Sequence, residues 1–220
     1  MQRDCYVVNC KKESCDDFCI KRFKLDQLYD KSLLSEKQKH RKELRLDENK
    51  VDLVAYQTLK QIEQHIGEFV GKGNNLYIYS TTCGNGKTEW SVRLIQAYLN
   101  NIWYCADLTC HALFISVPKF LLALKRNISE TDDYANHIIS NVQYADIVVW
   151  DDIATKGGTE FEIENLLSII DSRIDCGKTN VFTSNLTPKD LASRVGDRLG
   201  SRIIGLSTVV EFKGADKRGL

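Results

Sequence analysis

Residues 79–90 read YSTTCGNGKTEW. Gly86-Lys87-Thr88 is how a phosphate-binding loop ends, and the usual form of that loop is G-x-x-x-x-G-K-[ST]. No other stretch constrains the fold as much, because such a loop needs a strand before it and a helix after it. Backbone N–H groups must converge on phosphate oxygens. A lysine must reach the outer phosphates, and a hydroxyl must bind Mg²⁺. The helix must start there, so that its positive end faces the anion. Gly84, Gly86, Lys87 and Thr88 meet the residue requirements. The apolar run Leu76–Tyr79 supplies the strand. Trp90, Leu94, Ala97 and Tyr98 supply a helical stripe over 87–99. Counting back from Gly86, Thr81 stands where the first glycine is usual. That position shapes the turn more than it touches phosphate, so a small β-tolerant residue is acceptable there. The candidate nucleotide contacts are Thr82, Cys83, Gly84, Asn85, Gly86, Lys87, Thr88 and Glu89.

The rest of the chain continues the alternation. Strands are expected at 113–117, 147–150, 180–183 and 208–212. Helices are expected at 118–126, 133–143, 161–174 and from Thr187-Pro188 to about Ile204. Ahead of the first strand, Val51, Val54, Ala55, Thr58, Leu59, Ile62 and Ile66 recur at helical spacing, until Gly71 and Gly73 stop the run. Strands alternating with helices give an α/β fold. The expectation is a five-stranded parallel sheet with helices on both faces.

Three further motifs bear chemistry. IVVWDD begins at residue 147, a buried strand that ends in acid. Asp151 would hold Mg²⁺, directly or through water, and Asp152 would polarise an attacking water. VFTSNLT follows at 181–187. A polar residue ending this strand lies between the other two strands, and Asn185 is the first choice with Ser184 second. In RVGDRLGSRIIG, Arg194, Arg198 and Arg202 recur every four residues, a stripe if one helix runs through Gly196 and Gly200. Arginine supplied across a subunit interface can stabilise a transferring phosphate.

Net charge is zero, so no global field draws the chain to nucleic acid, and such binding must come from local patches. The start, MQRDCYVVNCKK, has no signal-peptide hydrophobic region, and no apolar run reaches the roughly 18 residues of a membrane span. The expected compartment is therefore the cytoplasm, with thiols reduced and no membrane partner. Four of eight cysteines (Cys5, Cys10, Cys15 and Cys19) then need their own explanation. Four thiolates can close a tetrahedral Zn²⁺ site, with His40 as a spare ligand. An iron–sulfur cluster or free thiols in a loose tail are the alternatives. The expected organisation is a cysteine-rich module over 1–30, a charged linker or helix over 31–50, and the α/β domain over 51–220.

GNGKT, IVVWDD, TSN and DRLGSR in this order resemble the AAA+ ATPases, and in particular the DnaC/DnaI-like helicase loaders, including bacteriophage versions. The resemblance covers residues 50–220. It implies an ATPase without the usual C-terminal helical lid, using ATP/ADP and Mg²⁺. Lys87 and Thr88 would be Walker A contacts, Asp151 and Asp152 Walker B, and Asn185 the first sensor. Arg202 would be an arginine finger acting on a neighbouring subunit. Asp152 stands where many members carry glutamate, which implies slow hydrolysis. The resemblance favours zinc in the cysteine module, which would engage the helicase. It also implies self-association, a DnaB-type replicative helicase as partner, and single-stranded DNA held by Lys119, Phe120, Lys125 and Arg126. The alternatives are a transposition-type ATPase adaptor, and an adaptor that binds nucleotide with little turnover.

Overall fold

Five short segments pair into one sheet: β1 (Asn75–Tyr79), β2 (Ala112–Ser116), β3 (Ile147–Asp151), β4 (Thr179–Ser184) and β5 (Ser207–Glu211). Their order is β2-β3-β4-β1-β5, and every neighbouring pair is parallel. The computed structural model describes residues 7, 10, 18–40, 44, 50–154 and 159–216. Near-continuous apolar strands send side chains to both faces of a sheet, so both faces must be covered. Leu76, Ile78, Phe114, Val149 and Val181 point into one core. Tyr77, Leu113, Ile115, Val148, Trp150 and Phe182 point into the other.

The first core is closed by α1 (Ile20–Lys31), α3 (Leu53–Gln64), α4 (Ile66–Gly71) and α5 (Lys87–Ile102). Helix α5 buries Trp90, Leu94, Ile95 and Leu99 against the sheet. Each fully buried side chain of this size contributes about 1.5–3 kcal/mol. Along the stripe expected over 51–66, Ala55 and Leu59 of α3 and Ile66 of α4 are buried as the spacing predicts. Val51 and Val54 instead face solvent, at 50% and 76% exposure. The inward arc of α3 is set by its packing on α5, where Arg93 pairs with the buried Glu63 at 3.0 Å.

The second core is closed by α6 (Val117–Arg126), α7 (Asp133–Asn141), α8 (Glu160–Asp175), α9 (Pro188–Val195) and α10 (Asp197–Gly205). The buried Arg173 of α8 ties its lower end together. Its guanidinium donates to the carbonyls of Val142, Ala145 (2.8 Å) and Thr179 (2.7 Å), and to Asn180 Oδ1 at 2.8 Å. The helical region expected from 187 to about 204 is two helices. Gly196, at φ 86° and ψ 150°, breaks it. Arg194 therefore lies on α9, apart from Arg198 and Arg202 on α10. Gly200 stays helical and lets α10 lie close on α9, since a Cβ there would sit 2.6 Å from Ala192 Cα.

The sequence places a boundary at residue 30 and a linker over 31–50. In the structure, Leu25, Leu28 and Tyr29 before that boundary and Leu34 after it share the first core. Helix α1 has an i, i+3, i+4 stripe in these three residues, a signal overshadowed by the cysteine cluster. Beyond it, α2 (Glu36–Lys39) is anchored to α5 by Gln96, which donates to the carbonyls of Gln38 (2.6 Å) and Lys39 (3.2 Å). The carbonyl of Ser32 accepts from Phe114 N–H at 2.9 Å, which covers the outer edge of β2. No helix among the described residues is long and apolar enough to cross a membrane.

Candidate nucleotide site

The loop after β1 is shaped by two residues that the motif does not single out. Ser80 is buried, and its N–H continues the ladder to Ser184 O at 3.2 Å. Its hydroxyl accepts from Thr82 N–H (3.1 Å) and from the side-chain amide of the buried Asn85. Gly84 and Gly86 have left-handed backbones, with φ of 74° and 99°, which a Cβ would strain. Thr81 is not among the residues with positive φ. The position of the missing glycine thus makes no demand that only glycine can meet. Gly86 caps α5, and its carbonyl accepts from Trp90 N–H at 2.9 Å. The first-turn N–H groups of α5 have no partner within the helix and are oriented for an anion. Lys87 is buried, with its ammonium donating to Thr82 O and Asn85 Oδ1, both at 3.2 Å.

Across the sheet, Asp151 ends β3 and is 7% exposed. Its Oδ1 accepts from the Thr88 hydroxyl at 2.9 Å and from the Thr183 hydroxyl at 2.7 Å. Burial pushes its carboxyl above the ordinary carboxylate range. The Thr183 hydrogen bond opposes this, the charge of Asp152 adds to it, and Thr88 and Lys87 oppose it. The register explains the meeting. β4 lies between β1 and β3, with Thr183 opposite Ile78 of β1 and Phe182 opposite Trp150 of β3. The loop, the acid and the β4 hydroxyl thus converge at the carboxyl ends of adjacent parallel strands, where α/β sheets place ligands. Hard oxygen donors such as Thr88 and Asp151 suit Mg²⁺, and Lys87 beside the loop suits phosphate.

Beyond Asp151 the chain turns sharply. Asp152 and Ala154 both have left-handed backbones, with φ of 58° and 66°. The turn is fixed from β4. Thr183 Oγ1 accepts from Asp152 N–H (3.0 Å), Thr183 O accepts from Ile153 N–H (2.9 Å), and Ser184 Oγ donates to Ile153 O (2.9 Å). Asn185, the favoured sensor from sequence, is half-buried one residue past β4. Among the described residues, no hydrogen bond joins its side chain to either acid. Thr183 makes those contacts instead, and only the strand register reveals it.

Other candidates fall elsewhere. Glu89 is half-buried in the first turn of α5, where its charge suits the helix end, and Cys83 is exposed on the loop. Arg202 lies 2.9 Å from Asp171 of α8, and Arg198 lies 3.9 Å from the same carboxylate. Lys119 sits 4.2 Å from the Tyr134 ring, Lys125 pairs with Glu162 at 3.0 Å, and Arg126 is exposed at the end of α6. Phe120 is a correction. It is fully buried in the second core, so its ring cannot stack on a base. The hydrophobic stripe of α6 claims it. Of the cysteine cluster, Cys10 is exposed and Cys19 half-buried, while Cys5 and Cys15 lie outside the described residues. Among the described residues no group of three or more His, Cys, Asp or Glu is arranged to hold a metal ion.

The segment after β5 returns to the loop. Phe212 N–H donates to Tyr79 O at 2.8 Å. The buried Asp52 accepts from Lys213 N–H (2.7 Å) and Gly214 N–H (3.0 Å). Asp216 then lies so close to Gly84 that a Cβ there would collide with its carboxylate.

A search of curated proteins found no match. Solved structures match the fold. A putative primosome component from Streptococcus pyogenes serotype M3 is 18% identical with a TM-score of 0.64, over 87% of this chain and 98% of that one. The DnaC helicase loader is 20% identical with a TM-score of 0.61, over 79% and 93%. AMPPCP-bound DnaA from Aquifex aeolicus is 22% identical with a TM-score of 0.55, over 77% and 48%. The profile of the bacterial DnaA ATPase domain matches residues 47–209. That span holds the loop, both acids, β4 and α10, and the chain belongs to the bacterial DnaA ATPase domain family.

Proposed function

We propose that this chain binds ATP with Mg²⁺ and uses its nucleotide state to control the loading of a DnaB-type replicative helicase onto single-stranded DNA. The observation that carries the nucleotide half is the meeting of Thr88 and Asp151 at 2.9 Å, one from the loop helix and one from β3. Lys87 and the N–H groups of residues 84–88 would hold the phosphates. Thr88 and Asp151 would hold Mg²⁺, which neutralises phosphate charge. Asp152 would orient the attacking water. The loader half is supported by likeness in fold to a helicase loader and to a primosome component. It is also supported by the motif order that the sequence shares with the loaders.

Two measurements test this. A fluorescent ATP analogue should bind the wild-type chain with Mg²⁺, and Lys87→Ala should lose that binding. Unchanged binding in the variant would reject the phosphate loop. Capture from cells under ATP and under ADP should recover a hexameric helicase in a nucleotide-dependent way. Recovery of a transposase would reject the loader role.

A further inference from the structure

We propose that Thr183, backed by Ser184, is a positioning residue for hydrolysis: from β4 it aims both acids at the end of β3. The proposal rests on the Mg²⁺–ATP reading of the site. In that reaction the water oxygen bonds to the γ-phosphorus as the bond to the β–γ bridging oxygen breaks. The products are ADP, phosphate and a proton. Asp151 serves the cation and Asp152 the water, so the rate depends on where two adjacent carboxylates point.

Adjacent residues on a strand face opposite sides of the sheet. For both acids to serve one site, the chain must leave β geometry between them. It does so at Asp152, whose φ of 58° is left-handed, and again at Ala154 with 66°. L residues hold such conformations only when the surroundings impose them. Here the surroundings are identifiable. A threonine hydroxyl has one proton to donate and lone pairs to accept. Thr183 spends the proton on Asp151 Oδ1 (2.7 Å) and accepts from Asp152 N–H (3.0 Å). One buried oxygen therefore touches both acidic residues. The carbonyl of the same residue accepts from Ile153 N–H at 2.9 Å, and the Ser184 hydroxyl donates to Ile153 O at 2.9 Å. Thr183 and Ser184 are both fully buried, so water does not compete for these bonds. Thr183 would not touch ATP. It would act through the acids.

Thr183→Val keeps the shape and removes the hydroxyl, and Thr183→Ser keeps the hydroxyl. The full chain is assayed by single-turnover hydrolysis of ATP with Mg²⁺, alongside titration with the fluorescent ATP analogue. Misplacing a catalytic group by about 1 Å can cost on the order of a hundredfold. The expected result is a fall of about ten- to a hundredfold in turnover for Thr183→Val, with ATP affinity within about twofold of wild type. Thr183→Ser should recover most of the rate. A folded Thr183→Val that turns over like wild type overturns the proposal, as does a serine variant no faster than valine. If Thr183→Val does not fold, Ser184→Ala decides. It releases the same turn at Ile153, and unchanged turnover there also overturns the proposal. A wild-type chain that fails to bind ATP rejects the site itself, which is a separate outcome.

Discussion

Restoring the consensus glycine at position 81 should do nothing for nucleotide binding. Thr81 is exposed and has no left-handed backbone, so Thr81→Gly relieves no strain. Its only predicted effect acts through the unfolded chain, where glycine adds freedom worth about 0.4–1 kcal/mol of lost stability. Gly86→Ala makes the informative contrast. Nothing lies within 4 Å of a Cβ built there, so sterics with neighbours contribute nothing. The backbone φ of 99° remains, and a side chain in left-handed geometry costs roughly 1–2 kcal/mol. If the loop must hold that geometry to bind phosphate, the loss corresponds to a factor of about 5–30 in affinity. Titration with a fluorescent ATP analogue and Mg²⁺ measures both variants, and a thermal melt measures stability. Thr81→Gly should bind within about twofold of wild type, well inside the range that a strained backbone would produce. A gain of about tenfold or more in Thr81→Gly would mean that residue 81 does distort the loop. A Gly86→Ala variant that binds as tightly as wild type would refute the argument from the other side, since the critical backbone would then lie elsewhere.

Two further outcomes follow from the same geometry. Phe120→Ala should cost about 3–5 kcal/mol in urea denaturation, because it empties a fully buried ring site, whereas Arg126→Ala should leave stability unchanged and weaken single-stranded DNA binding with a shallower salt dependence. A folded, fully stable Phe120→Ala that loses only DNA binding would contradict the core assignment. Asp216→Ala removes a carboxylate that lies against Gly84, so nucleotide should bind severalfold tighter at low salt and less so at high salt. Weaker binding in that variant would mean the carboxylate assists the nucleotide rather than opposing it.

Much of this fold is written in local pattern. The segments 76–79, 113–117, 147–150, 180–183 and 208–212 lie within a residue of the observed strands. Each is short and holds at least two consecutive apolar residues, so local pattern and punctuation suffice. The loop and Asp151 are legible for a related reason, since both follow directly from how a buried strand ends. What escapes is set by contacts between distant segments. Which arc of α3 faces inward depends on α5, so Val51 and Val54 look like core and are not. The break at Gly196 escapes because glycine both ends helices and, as at Gly200, sits within them where another helix comes close.

The end of β4 shows the limit most sharply. TSN offers three polar residues in a row, and composition does not rank them. Asparagine is the usual choice, because its amide can both donate and accept. Rank is decided by register: Trp150 lies opposite Phe182, so the next residues along, Asp151 and Thr183, come side by side. Two residues further, Asn185 has already left the strand. A shift of one residue in pairing would reverse which face each side chain occupies. β3 is apolar on both faces and β4 has only Val181 and Phe182 as apolar residues, so neither strand carries an alternation to reveal that register. The residue joining the two acids is therefore visible only once the strands are paired, although every group it touches belongs to a motif readable from sequence.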